Sequence, residues 1–411
     1  YLASKSYNSC YAPLKFLDAL FRGYGQVVFA NNPISGVIIF IGLTFADPQV
    51  SAAGLLTAIV GLFTSIAVIP QPNVIIISGL TVFNPLLIGL VTATALPHSY
   101  GIQLEYWHFF LMILASVVSV YVTSAFENIL GSVSRYPLPY LTVPFNVVQQ
   151  LLFLVLLTAT SGGHVTSQSV TMATQAYTEE AAVVSTLSPG HIYSDNNVTR
   201  DMLTDYDGAA TNHSARNEAD WGGVFSGIVL SSSQVYAFNY APTAVLIYIA
   251  LLLYSPITAA FGLLGAVIGT LTGVLLTDPG SYAESGGVYD GSWGFNGMLS
   301  SMCLGGLFFV ISWSSTLAAV LSAIFSTVLQ YVLISPFAQG KLVPMSLPFN
   351  LSALLFLCVT TSRGLARPQV VSFPEKHRLE HKPSQEREAS ASDEMNKDLE
   401  NAKKSLQTED V

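Results

Sequence analysis

Charge is what this sequence lacks most. Asp, Glu, Lys and Arg make up 10% of its 411 residues, against about 25% in a soluble globular domain. The few charges are also unevenly placed: residues 1–365 hold 8 Lys/Arg and 15 Asp/Glu, and the last 46 residues hold 8 and 10. The net charge of −9 therefore arises from loops and tail, and an acidic chain without a basic stripe argues against nucleic-acid binding. Cysteine is equally scarce. Cys10, Cys303 and Cys358 lie far apart, with no CxxC or Cys/His spacing, so neither a disulfide scaffold nor a metal site is expected. No nucleophile triad appears, which points away from an enzyme, and no cofactor is expected. Nor does any apolar run carry an Asp/Glu pair placed to relay protons or sodium, which favours facilitated diffusion over coupled transport.

What is abundant is apolar sequence, 51% of the chain. Runs approaching the ~20 residues that cross a bilayer recur along it. They fall at about 24–46, 50–70, 74–94, 107–126 and 141–160, then at about 236–254, 256–277, 293–312, 314–335 and 346–363. None alternates in the manner of a barrel strand, and Gly and Pro interrupt several, so the expected fold class is all-α integral membrane with ten transmembrane helices. The expected organisation is a first membrane half over 1–160, a linker over 161–222, a second half over 223–365 and a disordered charged tail over 366–411. The linker is the one long polar segment and carries two glycosylation sequons, at Asn197 and Asn212. That places it outside the cell and both termini in the cytoplasm, and Arg22, Arg135, Arg363 and Arg367 then fall on the cytoplasmic side.

Three signatures occur twice in the same order. Gln26 to Pro33 is echoed by Gln234 to Pro242, Phe83 to Leu87 by Phe295 to Leu299, and Thr142 to Asn146 by Ser346 to Asn350, at offsets of 208, 212 and 204 residues. With five spans per half, the second copy enters from the opposite face, giving two inverted five-helix repeats with a site at their interface and half-length helices beside it. Aromatic rings beside amide and hydroxyl oxygens would form a narrow, mostly apolar slot. A small planar neutral solute rich in N–H donors suits such a slot, whereas an ion would find too few ligands to replace its water. Taken singly, these residues have plainer readings. A lone Gln serves equally as interhelical glue, Phe is common in apolar helices, and Thr142 or Ser346 could bond its own backbone.

At these residues the chain resembles the urea transporter family, through Asn31-Asn32-Pro33-Ile34-Ser35-Gly36, Leu138-Pro139 through Asn146, and Trp293-Gly294-Phe295-Asn296. The resemblance implies a homotrimer in the plasma membrane, one pore per subunit, with urea passing down its gradient. It puts Gln26 with Val27 and Gln234 with Val235 at the two mouths. Phe29 and Phe83 would press on the solute in one half, and Phe295 and Phe238 in the other. Leu87 and Leu299 would wall the slot, with the Thr142 and Ser346 hydroxyls near its centre. The competing readings are an aquaporin-like or ammonia channel, and a non-transporting receptor or scaffold. No histidine pair occupies a span centre, which argues against an ammonia channel built on twin histidines.

Overall fold

A computed structural model describes residues 12–69, 72–133, 137–160, 219–284, 286–359, 365–368, 371–377 and 379. These residues are helical with no strand among them. The chain divides into two units, 1–153 with 217–411, and 154–216. Of the second, only the end of one helix is described. The sequons at Asn197 and Asn212, and the rest of the linker, lie outside the described residues.

The helices are α1 (Ala12–Gln26), α2 (Pro33–Ala46), α3 (Pro48–Phe63, continued by a π turn, Thr64–Val68), the short α4 (Asn73–Ile77), α5 (Phe83–Ser99), α6 (Tyr106–Val133) and α7 (Val143–Thr160). They are followed by α8 (Trp221–Gln234), α9 (Ala241–Tyr254), α10 (Pro256–Leu276), α11 (Phe295–Met302, continued by a π turn, Cys303–Leu307), α12 (Trp313–Gln339) and α13 (Leu347–Leu357). Among the described residues, four helices are long and apolar enough to cross a membrane: Pro48–Val68, Tyr106–Val133, Pro256–Leu276 and Trp313–Gln339. Others are shorter. At ~1.5 Å per residue the 14 residues of α2 or α9 reach only about two-thirds of a ~30 Å hydrocarbon core.

Proline and polar caps set these boundaries. Asp47 closes α2 and caps α3, its carboxylate accepting from the amides of Gln49 and Val50, with Pro48 at the first helical position. Ser255 does the same between α9 and α10, where its hydroxyl accepts from the Thr258 amide ahead of Pro256. Both junction residues are extended, with φ of −153° and −160°. Proline suits the first turn because its missing N–H is unpaired there in any helix.

Several apolar runs prove to be broken. The run at 24–46 is α1 and α2 joined by a bend, and 236–254 likewise begins in the bend that follows α8. The run at 74–94 is interrupted at Gly79, with φ 73°, and 293–312 loses helical geometry at Gly305 and Gly306. Hydropathy registers solvent preference and is blind to a single left-handed residue. Close backbone approach also fixes the packing of α10 on α11. A Cβ on Gly265 would sit 2.3 Å from the Gly297 carbonyl oxygen, and one on Gly297 would sit 2.6 Å from that of Gly265. Small residues at such crossings let membrane helices gain contact without a hydrophobic driving force.

Disorder is expected from residue 366 onward, yet residues 371–377 are packed. The Glu375 carboxylate accepts from the Ser255 hydroxyl at 2.8 Å and from the Ile257 amide at 3.2 Å, at the positive end of α10. His377 is buried, with Nδ1 2.9 Å from the Gly306 carbonyl and Nε2 accepting from the Ser372 amide. This strap ties the α9–α10 junction to the broken end of α11. Glu375→Ala is expected to cost about 1–2 kcal/mol, one charge-assisted cap, and to lower the thermal unfolding temperature in detergent by a few degrees. An unchanged melting curve would show that the strap carries no stability.

Candidate functional site

Helices α7 and α13 begin immediately after Thr142 and Ser346, and those two hydroxyls meet at 2.9 Å. Two helix starts therefore converge on one buried point, each bringing its positive dipole end. The residues one turn further on close the cluster. The Asn146 amide donates to Ser346 Oγ at 2.9 Å, and the Asn350 amide donates to Thr142 Oγ1 at 2.9 Å. Each also donates to the carbonyl at the start of its own helix, Asn146 to Thr142 at 2.8 Å and Asn350 to Ser346 at 2.9 Å. Two links lack counterparts. Asn350 Oδ1 accepts from the Thr142 amide at 3.0 Å and from its hydroxyl at 3.2 Å, whereas Asn146 Oδ1 is buried with no partner. The cluster can thus offer hydroxyl and amide oxygens to a solute with N–H groups, while the dipole ends disfavour a cation.

The approaches to this centre also come in matched pairs. Leu141 and Met345, just before the two hydroxyl residues, are left-handed with φ of 49° and 47°. The Asn84 amide reaches the Leu141 carbonyl at 3.4 Å, and the Asn296 amide reaches that of Met345 at 3.1 Å. The second copy is the better secured. Asn296 also donates to Gln330 Oε1 at 2.8 Å and accepts from the Phe349 amide at 3.3 Å, while Asn84 Oδ1 is buried without a partner. Ahead of these asparagines, Gly79 and Gly291 have φ of 73° and 85°. The paired glutamines secure the same loops: Gln26 donates to the Ser78 carbonyl at 2.8 Å and Gln234 to that of Asp290 at 2.9 Å.

The aromatic residues divide. Phe83 is buried and stacks on Tyr140, with rings 6.0 Å apart and nearly parallel at 4°. Phe29 stands edge-on to Phe349 at 6.1 Å, a contact between the two halves of the sequence. Phe295 is half-buried at the start of α11. Val27, Val235, Leu87 and Leu299 are buried. The counterpart of Phe29 is Ala237, not Phe238. Phe29 and Ala237 share the left-handed conformation, φ 62° and 61°. Phe238 instead takes the place of Ala30, its amide bonding the Ser233 carbonyl as that of Ala30 bonds Gly25. Sequence reasoning also passed over Asn146, Asn350, Asn296 and Gln330 as site residues. The Thr/Ser-to-Asn spacing of four, one helical turn, was the available signal for the first two.

The sequence profile of the urea transporter family matches residues 17–361. The chain is 25% identical over 365 residues to urea transporter 1 of Mus musculus, covering 88% of this chain and 80% of that protein. It is 27% identical over 374 residues to urea transporter 1 of Ovis aries, covering 89% and 83%. The match takes in every element that builds the paired site, from the Gln26 bend to the Asn350 helix. By that extent of agreement, the chain belongs to the urea transporter family.

Proposed function

We propose that this membrane protein conducts urea down its gradient through a narrow slot between two inverted halves, with the Thr142–Ser346–Asn146–Asn350 cluster at its centre. Membership of the family sets the solute as urea and the activity as transport, not catalysis, and does not favour the aquaporin-like or ammonia-channel alternative.

The observation that carries the slot is reciprocity across the two halves. Ser35 on α2 donates to the Ala250 carbonyl on α9 at 2.8 Å, and Thr243 on α9 donates to the Gly42 carbonyl on α2 at 2.7 Å. Ser35 and Thr243 occupy equivalent places, as do Gly42 and Ala250, so swapping the halves restores the same pair of contacts. Reciprocal contacts between antiparallel helices define a two-fold axis perpendicular to them. For helices lying along the membrane normal, that axis lies in the membrane plane, which is the inverted arrangement with its site near midplane. The paired bonds of the hydroxyl–asparagine cluster follow the same exchange, which supports a place for it near that axis.

In this reading Gln26 and Gln234 hold the two mouths. Phe83 and Phe295 flank the slot with Leu87 and Leu299, and two helix dipoles at the centre repel cations while neutral urea passes. Ten spans, a homotrimer in the plasma membrane, cytoplasmic termini and glycans on Asn197 and Asn212 complete the reading, supported by the sequence pattern and the family resemblance. In proteoliposomes, urea flux should follow the urea gradient alone. Imposing or reversing a sodium or pH gradient should leave it unchanged. Flux that follows either ion gradient would replace passive conduction with coupling.

A further inference from the structure

The two halves match closely along α6 and α12, whose buried residues fall 207 apart, from His108 and Ser315 to Thr123 and Gln330. Beside α11 they differ in bulk. The second half fills the space beside α11 with Trp293, Gln330 and Tyr331, and the Trp293 and Tyr331 rings lie 6.4 Å apart. There the Gln330 amide donates to the Ser292 carbonyl at 2.8 Å while its oxygen accepts from Asn296. The equivalent residues of the first half are Thr81, Thr123 and Ser124, three small hydroxyl side chains. They leave a cavity, bounded further by Glu127, Tyr140 and the aliphatic Ile75 and Val120. Tyr140 spans part of the gap, its hydroxyl donating to the Leu80 carbonyl at 3.0 Å, as Gln330 does to Ser292. The hydroxyls of Thr81 and Thr123 find no partner, although the residues are only 4% and 6% exposed.

We infer that this cavity holds a resident water molecule in place of the Gln330 carboxamide. Two buried hydroxyls without partners carry a desolvation cost that an empty site would leave in full. A water can both donate and accept, the lining offers it the two unpartnered threonine hydroxyls, and the space is of water size. An apolar occupant would satisfy none of these groups. Because Tyr140 both lines the cavity and stacks on Phe83, such a water would adjoin a ring in contact with the proposed slot.

The sign of a conservative substitution tests this. Thr→Val keeps shape and removes only the hydroxyl. With a water in place, Thr81→Val and Thr123→Val each lose a satisfied hydrogen bond, and each should lower the thermal unfolding temperature of the full-length protein by about 2 °C or more. In a dry cavity both substitutions remove an unsatisfied group, so an unchanged or raised temperature overturns the assignment. A high-resolution map of the wild-type protein in lipid nanodiscs should show one compact peak within hydrogen-bonding distance of both hydroxyls. That peak should be absent in Thr123→Gln, which copies the second half. An empty wild-type cavity, or a peak that persists beside Gln at 123, contradicts the proposal.

Discussion

Thr142→Val slows urea flux about tenfold while leaving folding and assembly intact. Valine keeps the β-branched shape and removes one hydroxyl. Asn350 loses the hydroxyl both as acceptor for its amide and as donor to its oxygen, but it keeps the Ser346 carbonyl and the Thr142 backbone amide; Ser346 Oγ loses the same hydroxyl and keeps the Asn146 amide. No buried group is therefore stranded. A solute crossing the centre loses one of the few oxygens that replace its hydration. A hydrogen bond missing at the top of the barrier costs about 1–1.5 kcal/mol, and 1.4 kcal/mol is a factor of ten in rate. Stopped-flow light scattering on proteoliposomes reads this directly, with size-exclusion profiles as the control for assembly. Wild-type flux in this variant would remove Thr142 from the pathway.

Asn296→Leu strongly destabilises the protein, whereas Asn84→Leu is tolerated, although the two asparagines hold the same place in the repeated motif. Asn296 serves the Gln330 oxygen, the Met345 carbonyl and the Phe349 amide, and it is fully buried. Leucine leaves all three without it. With each stranded group costing about 1–3 kcal/mol, the total is on the order of 3 kcal/mol or more, and unfolding falls by roughly 10 °C. Asn84 makes a single long bond to the Leu141 carbonyl, and its own oxygen has no partner. Its replacement removes an unsatisfied buried group along with a weak bond, and the melting temperature should move by no more than about 2 °C. Melting curves of the two variants side by side decide the point. Equal losses would mean that the asymmetry seen in the hydrogen bonds has no energetic weight.

The sequence disclosed the repeated signatures and their constant spacing because they need only local reading. Asn32-Pro33, Asp47-Pro48 and Ser255-Pro256 are helix-start chemistry that any such reading can find. The breaks inside apolar runs were less legible, since Phe29 and Ala237 adopt left-handed geometry with no glycine to announce it. For the same reason, residue type gives no hint that Phe29 and Ala237 hold equivalent places. The partners of Asn146 and Asn350 were beyond local reading altogether. They lie 200 and 208 residues away and meet only because two helix starts converge. The strap through Glu375 and His377 was hidden by composition, because a mixed-charge tail reads as unfolded until a buried contact is found.

A passive slot for urea, and not for water or an ion, has a plain signature in stopped-flow measurements of urea and water permeability on the same proteoliposomes. Purified protein should raise urea permeability by orders of magnitude over protein-free vesicles, with flux that saturates as urea concentration rises. Vesicles that gain water permeability while excluding urea would contradict the account.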